Sequence, residues 1–385
     1  MNNYDQSYNS HILAFDPVYR NVKDTGKIDV SKGVMRDPRF NAEPGARGLD
    51  GGGAKFSFFA PDAKSVTMSI LEIRAKYEFT AGDDGYWRYE CPDFPAGFHY
   101  VFFEVDGVST YHPNLPMGYG YGKSVNFVDL PGKDDFYLLK DVPHGVLSME
   151  IYKSGVSGRF RNCWVYTPPG YNTSGEKRYP VLYIQHGGGE DETGWFWQGK
   201  LNYILDNLIA EGLCEEMIVV TNSGSADKEI GPDEFTSANV SQIILTDCIP
   251  LIDSKYRTKA DRHSRAISGL SMGGGISRHL AHTYPEVFAN MGIFSSGQGF
   301  MVAGESQGWV FDYTELFKTP EFYNSVMDIT FVACGTEDMR HPYTKTQAEE
   351  LTEKGYNVEY HAYPGDHEWN VWRLAARDFI MKLFK

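Results

Sequence analysis

SRAISGLSMGGG, residues Ser264–Gly275, carries an apolar run that ends at Gly269 and sets Ser271 between Gly269 and Gly273. This G-x-S-x-G spacing predicts a strand-to-helix turn so sharp that the serine is held in a strained backbone conformation with its hydroxyl exposed. Glycine is required at both flanks because a Cβ there would collide with the neighbouring strand and helix. The same turn leaves the Met272 N–H at a helix start, aimed where an oxyanion forms. The competing reading is a glycine-rich turn with an incidental serine, and the surrounding chain decides between them.

Outward from this stretch the pattern alternates strand and helix. PVLYIQ (180–185), MIVVTN (217–222), RAISG (265–269), ANMGIFSS (289–296), DITFVACG (328–335) and NVEYHAY (357–363) read as buried strands. Helical spacing covers Trp195–Ala210, Val240–Lys255, Met272–Thr283, Thr344–Lys354 and Trp369–Phe384. Upstream, Gly145–Ser154 and Phe160–Tyr171 read as two antiparallel opening strands. Alternation of this kind predicts an α/β fold over 145–385, a mostly parallel sheet with helices on both faces and ligands at the carboxyl ends of its strands. Gly297–Tyr323, rich in glycine and aromatics without clear periodicity, reads as a lid or pocket wall.

The front of the chain has another texture. Residues 1–50 are polar and broken by Pro and Gly, an extended arm. From 51 to 138, short runs rich in β-branched and aromatic residues (KFSFFAP, SVTMSILE, YWRYECP, FHYVFFEVDG) recur about every ten residues, which predicts an all-β sandwich. A linker over Leu139–His144 follows. The formal net charge of −15 argues against nucleic acid and anionic membrane surfaces as partners. No apolar run approaches the about 20 residues of a membrane span. The N-terminus lacks a basic region followed by an apolar one, so the chain is either cytoplasmic or begins after a removed signal. Five scattered cysteines form neither a disulfide framework nor a zinc spacing, and they read as core residues.

A serine hydroxyl needs a base to take its proton, and the base needs a third group to orient it. With the serine on such a turn, the expected chain order is serine, acid, histidine. After CGTEDMRH, Asp338 fits the acid, with Glu337 its neighbour; after YHAYPGDHEW, a short loop presents His367. His341 lies too close to the acid loop and His361 lies inside a strand. The second oxyanion donor should come from PVLYIQHGGGEDETGW, where Gly187, Gly188 and Gly189 free backbone N–H groups of side-chain obstruction; Gly188 is the choice, with Gly187 and Gly189 open as substrate-contacting alternatives. His186 reads as a hydrogen-bonding residue beneath that loop. Trp195 and Trp369, with Trp197 and Trp372 nearby, suit an aromatic acyl pocket, against core packing of the last helix, the reading preferred for Trp372. HEW at His367 lacks the second histidine of H-E-x-x-H, and neither metal nor cofactor is expected.

The blocks VYTPPGY, YPVLYIQHGGGEDETGW, DNLIAEG, DRHSRAISGLSMGGG, YPEVFANMGIFSSG, CGTEDMRH and GDHEWNVWR resemble the esterase-D-like branch of the α/β-hydrolases, and more narrowly carbohydrate esterase family 1, which includes feruloyl and acetyl xylan esterases. The resemblance spans about 145–385. It implies nucleophile Ser271, acid Asp338, base His367, and oxyanion donors Met272 and the Gly187–Gly189 loop. FFAPDAKSVTMS, DGYWRYECPDFPAGFHYVFFEVDGV and HPNLP resemble the starch-binding-type, immunoglobulin-like modules found before carbohydrate-active enzymes. Trp87 and Tyr89 there either stack on a sugar or pack in the sandwich, and the module alternatively only shapes the active site. The implied partner is a feruloylated or acetylated plant polysaccharide or oligosaccharide. The expected activity is hydroxycinnamate release from arabinoxylan. The alternatives are acetyl xylan deacetylation, siderophore ester hydrolysis, and sugar binding on an inactive scaffold. The sequence is silent on oligomeric state.

Overall fold

The computed structural model describes residues 43–49, 52–130, 132–225, 237–296, 303–306 and 309–385. The chain divides into two compact units, Met1–Asp135 and Phe136–Lys385. Of the arm expected over 1–50, all but residues 43–49 lies outside the described residues.

In the first unit, β1 (Ala46–Gly48), β2 (Ala54–Phe59), β5 (Thr80–Ala81) and β6 (Tyr86–Cys91) form one sheet in the order β1-β2-β6-β5. The second sheet runs β4 (Ala75–Glu78), β3 (Val66–Ile70), β7 (Gly97–Val105), β10 (Lys123–Leu130), β9 (Met117–Gly120), with β8 (Val108–Thr110) beside β7. Alternation drives the packing: in VTMSI, Val66, Met68 and Ile70 are buried while Thr67 and Ser69 are partly exposed. Phe58 of one sheet meets Phe103 of the other, with ring centroids 5.3 Å apart. Trp87 and Tyr89 pack against this core, and the Trp87 indole N–H donates to the Ala60 carbonyl at 2.9 Å.

The second unit is built on an eight-stranded sheet: β11 (Val146–Lys153), β12 (Phe160–Thr167), β14 (Ile218–Asn222), β13 (Val181–Gln185), β15 (Arg265–Leu270), β16 (Asn290–Phe294), β19 (Ile329–Gly335) and β20 (Glu359–Tyr363), in that spatial order. The pairs β11–β12 and β12–β14 are antiparallel; from β14 to β20 every pair is parallel. β13, β14, β15 and β16 are buried along their whole length, as strands covered on both faces must be. In the segment expected to be a lid or wall, β17 (Ala303–Ser306) and β18 (Trp309–Asp312) form a separate two-stranded ribbon; residues 297–302 and 307–308 lie outside the described residues.

Four sequence boundaries move. The helix expected over Trp195–Ala210 is two, α1 (Gly194–Trp197) and α2 (Leu201–Ala210). The chain folds back on itself at Gly199, where a Cβ would stand 2.4 Å from the Trp195 carbonyl oxygen, and Lys200 takes a left-handed φ of 52°. The helix expected over Val240–Lys255 is α3 (Ser237–Gln242) and α4 (Ile249–Lys255), joined through a π-helical stretch, Ile243–Cys248. The end of the expected sandwich, 136–138, and the linker Leu139–His144 both belong to the second unit: the Asn207 amide donates to the Phe136 and Leu138 carbonyls at 2.8 and 2.9 Å, the Tyr137 ring lies under the Arg373 guanidinium at 4.6 Å, and His144 Nδ1 lies 2.8 Å from Asp206 Oδ2. The remaining helices are α5 (Met272–Thr283), α6 (Pro320–Val326), α7 (His341–Glu353) and α8 (Trp369–Ile380). α7 begins three residues earlier than the spacing suggested, because Pro342 suits a first helical turn. Among the described residues, no helix is long and apolar enough to cross a membrane.

Candidate active site

Parallel strands put their carboxyl ends on one edge, and the sequence hangs its polar loops there. Ser271 follows β15 and opens α5, Asp338 follows β19, and His367 follows β20. Ser271 has φ 52° and ψ −115°, a strained conformation for a residue with a Cβ, and its N–H donates to the Phe294 carbonyl at 2.8 Å. The flanking glycines are required by space. A Cβ on Gly269 would meet the Gly273 carbonyl group at 2.6 Å, and one on Gly273 would meet the Gln185 and His186 carbonyl oxygens at 2.5 Å. Strand and helix backbones therefore touch directly, and the serine is left half-exposed at the apex. Met272 is the first residue of α5, so its N–H lies outside the helical ladder.

Asp338 and His367 meet. The imidazole Nδ1 lies 2.7 Å from Asp338 Oδ2. An ionised carboxylate only accepts, so Nδ1 carries the hydrogen and Nε2 is the ring nitrogen with a free lone pair. Asp338 is 2% exposed. Burial alone would raise its pKa, but hydrogen bonds from His367 and from the Arg340 backbone N–H outweigh that and hold it at about 2. Asp338 therefore stays ionised at pH values well above 2. An imidazole oriented this way is the arrangement a general base requires.

The glycine loop is pinned from three directions. His186, wholly buried, accepts the Gly224 N–H at Nε2 (2.8 Å), so its Nδ1 donates to the Gly187 carbonyl (2.8 Å). Burial holds its pKa below the usual histidine value, which keeps it neutral and matches the expectation of a loop-supporting residue. The Gly187 N–H is occupied by the Glu190 carboxylate at 3.1 Å. This corrects the inclusion of Gly187 among the substrate-contacting N–H groups; its position is instead against the turn at Leu270–Ser271, where an added Cβ would stand 2.5 Å from Leu270 Cδ1 and 3.5 Å from Ser271 Cβ. Gly188 has open space around its Cα and no acceptor for its N–H among the described residues. Gly189 turns the loop with φ 79°.

Trp195 and Trp369 do not line a pocket. Each is 1% exposed. The Trp195 indole N–H donates to the Gln185 carbonyl at 2.9 Å, Trp195 meets Trp369 edge-to-face at 5.2 Å, Trp369 meets Trp372 at 5.2 Å, and Trp372 meets the His367 ring at 5.0 Å. This row of rings is the floor between the glycine loop and the histidine loop, with no face left for a substrate. Trp197 is half-buried against Trp164. Two functional neighbours escaped the sequence reading. Glu190 follows the glycines directly, and its proximity to three backbone donors was the available signal. Arg340 lies two residues beyond the acid, and its backbone N–H and Nη1 both donate to Asp338 Oδ1 at 3.0 Å.

A model of the family described as "Putative esterase" matches residues 154–378. The "Endo-1,4-beta-xylanase/feruloyl esterase" of Xylanibacter ruminicola is 32% identical over an alignment that takes in 98% of this chain; the chain spans about half, 52%, of that relative's length. Among solved structures, the feruloyl esterase module from Clostridium thermocellum complexed with sinapinate is 25% identical, with TM-score 0.53, covering 70% of this chain and 95% of that one. The enterobactin esterase FES from Shigella flexneri shares the fold over 91% of this chain and 98% of its own, with TM-score 0.67 and 13% identity. With the family model spanning more than half of it, the chain belongs to this esterase family, on the α/β-hydrolase fold.

Proposed function

We propose that the protein is a serine esterase that releases ferulate and related hydroxycinnamates from plant cell-wall polysaccharide, arabinoxylan foremost. The observation that carries the reading is the Asp338–His367 hydrogen bond at the same sheet edge as a serine in a strained strand-to-helix turn. In this reading Ser271 Oγ attacks the ester carbonyl while His367 Nε2 takes its proton. The Met272 and Gly188 N–H groups receive the developing oxyanion. The proton passes from His367 to the departing sugar alkoxide, leaving an acyl-serine. Water, deprotonated by the same nitrogen, then frees the acid and restores the serine. The ferulate preference is supported by the feruloyl esterases named among the relatives above, and the two tryptophans expected to form an acyl pocket add nothing to it, being buried. The front sandwich, also part of the aligned region of the xylanase/feruloyl esterase, is proposed as an immunoglobulin-like, starch-binding-type accessory module.

A second reading, hydrolysis of a cyclic siderophore ester, has one observation in its favour: the two-part chain matches the enterobactin esterase fold over 91% of its length. Methyl ferulate, acetylated xylan, a catecholate trilactone and phenyl acetate, assayed side by side, separate the readings. Turnover of methyl ferulate with release of ferulate from arabinoxylan is expected. Turnover of phenyl acetate without methyl ferulate removes the feruloyl assignment.

A further inference from the structure

We propose that Arg340 is a positioning residue of this site, fixing the Asp338 carboxylate from the side away from His367 and setting a permanent positive charge beside the imidazole. The inference rests on the serine-esterase reading. Asp338 divides its two oxygens cleanly: Oδ2 accepts from His367, and Oδ1 accepts the Arg340 N–H and Nη1. The backbone N–H alone already satisfies Oδ1, so the guanidinium is not needed to pair a buried acceptor. What it adds is charge and a second anchor against rotation of the carboxylate.

The same Nη1 lies 3.3 Å from His367 Nδ1. Because Nδ1 already donates to Asp338, this approach is two donors side by side and not a hydrogen bond. It is tolerable with a neutral ring and worse with an imidazolium. Arg340 therefore opposes Asp338, which favours the charged ring. The guanidinium is only about a quarter exposed, so solvent screens it incompletely. The other charged or titratable groups around the imidazole are few. From its own loop, the Asp366 carboxylate accepts the His367 N–H at 2.8 Å, and Glu368 accepts the Asp366 N–H at 3.1 Å. From α8 the contact is the Trp372 ring edge. From β19 and α7, the Cys334 thiol and Tyr343 phenol sit near the carboxylate, and burial raises both so that they stay neutral. Glu190 is held on the glycine loop by the Gly187 N–H. Arg340 is thus the one cation among the described groups named here, against carboxylates that all favour protonation of the ring.

The test is the pH dependence of phenyl acetate hydrolysis by the full chain carrying Arg340→Met, Arg340→Lys or Ser271→Ala. With Met, kcat at pH 7 should fall about tenfold with KM within about twofold, and the acid limb of kcat/KM should move up by about one pH unit, since less acid now suffices to charge the ring. With Lys, which keeps the charge but not the fork, the acid limb should stay near that of the parent while kcat recovers only in part. Arg340→Gln takes the place of Met if that variant does not fold. An unmoved acid limb in the Met or Gln protein overturns the proposal, as does a Lys protein whose limb moves as far as theirs. If Ser271→Ala retains parental turnover, the esterase reading itself has failed, and that outcome is independent of Arg340.

Discussion

Ser271, Asp338 and Gly188 each answer to a separate substitution. Ser271→Ala should lower kcat by several orders of magnitude with the protein still folded, because no other group described at this edge can hold the acyl chain. Asp338→Asn should lower kcat about 10⁴-fold with little change in KM. The amide offers an N–H where the imidazole expects an acceptor, and the ring turns to the wrong tautomer. Gly188→Pro removes the proposed oxyanion N–H and should cost about 10²–10³-fold in kcat, whereas Gly188→Ala, with free space for its methyl, should stay within about fivefold. Steady-state kinetics on one soluble ester checks all three; a Gly188→Pro protein as fast as its parent would move the donor elsewhere on the loop. At this scale the sequence was most readable where a residue's job depends on near neighbours. Ser271 is announced by glycines two positions away, and Asp338 and His367 by strands that end three and four residues before them. It was unreadable where the direction of a side chain chooses between near neighbours: HGGGE puts Glu190 beside three N–H groups without saying which it takes, and nothing in EDMRH says that Arg340 turns back onto Asp338 Oδ1.

Among the elements, the strand β15 and helix α5 matched the expected limits closely because backbone packing leaves them no freedom. Gly273→Ala should therefore be among the most damaging single-methyl changes in the protein. Its Cβ would press on two carbonyl oxygens that cannot move without shifting β13, and a loss of about 3 kcal/mol or more is expected from urea unfolding. Trp369→Ala should cost about 3–5 kcal/mol through the cavity it opens beneath the site. Trp369→Phe should retain most activity, which a substrate-stacking tryptophan would not allow. The misreading of Trp195 and Trp369 has a simple cause. A stripe of tryptophans on a helix start has the same spacing whether the helix turns it toward a pocket or toward a floor, and only the packing of α1 against α8 decides. The break between α1 and α2 was hidden for a similar reason, since Gly199 is needed by a contact with its own preceding turn rather than by any local propensity.

For the whole molecule, the boundary between the units makes a prediction about truncation. A chain starting at Phe136 should fold and hydrolyse ester. One starting at Gly145 strips partners from the buried Asn207 amide and Asp206 carboxylate, the latter bonded to His144 at 2.8 Å, and it should melt earlier, each buried polar group left unpaired costing about 1–3 kcal/mol. Thermal unfolding of the two truncations decides it. The units should also part company in acid. His112, buried in the first unit, donates from Nε2 to the Ser57 carbonyl at 2.6 Å and accepts the Asn114 N–H at Nδ1, and burial pushes its pKa down to about 4. Folding holds it neutral, so its contribution is complete above the unfolded value of about 6.5 and is lost as pH falls toward 4, a destabilisation of about 3 kcal/mol. Amide protection in β10 should drop about a hundredfold from pH 7 to pH 4.5 after correction for intrinsic exchange. An unchanged protection factor would show that the imidazole is reached by acid without unfolding.

His186 ties the segment before Gly188 to the segment at Gly224, and both ends of the tie are main-chain atoms. Because the ring is held neutral in its dry setting, this latch, like His112, contributes fully only above the unfolded histidine value of about 6.5 and loses that contribution as the medium sours. Acid tolerance would then be limited at this loop as well as in the front sandwich, and selection for variants that endure a low pH should address both imidazoles.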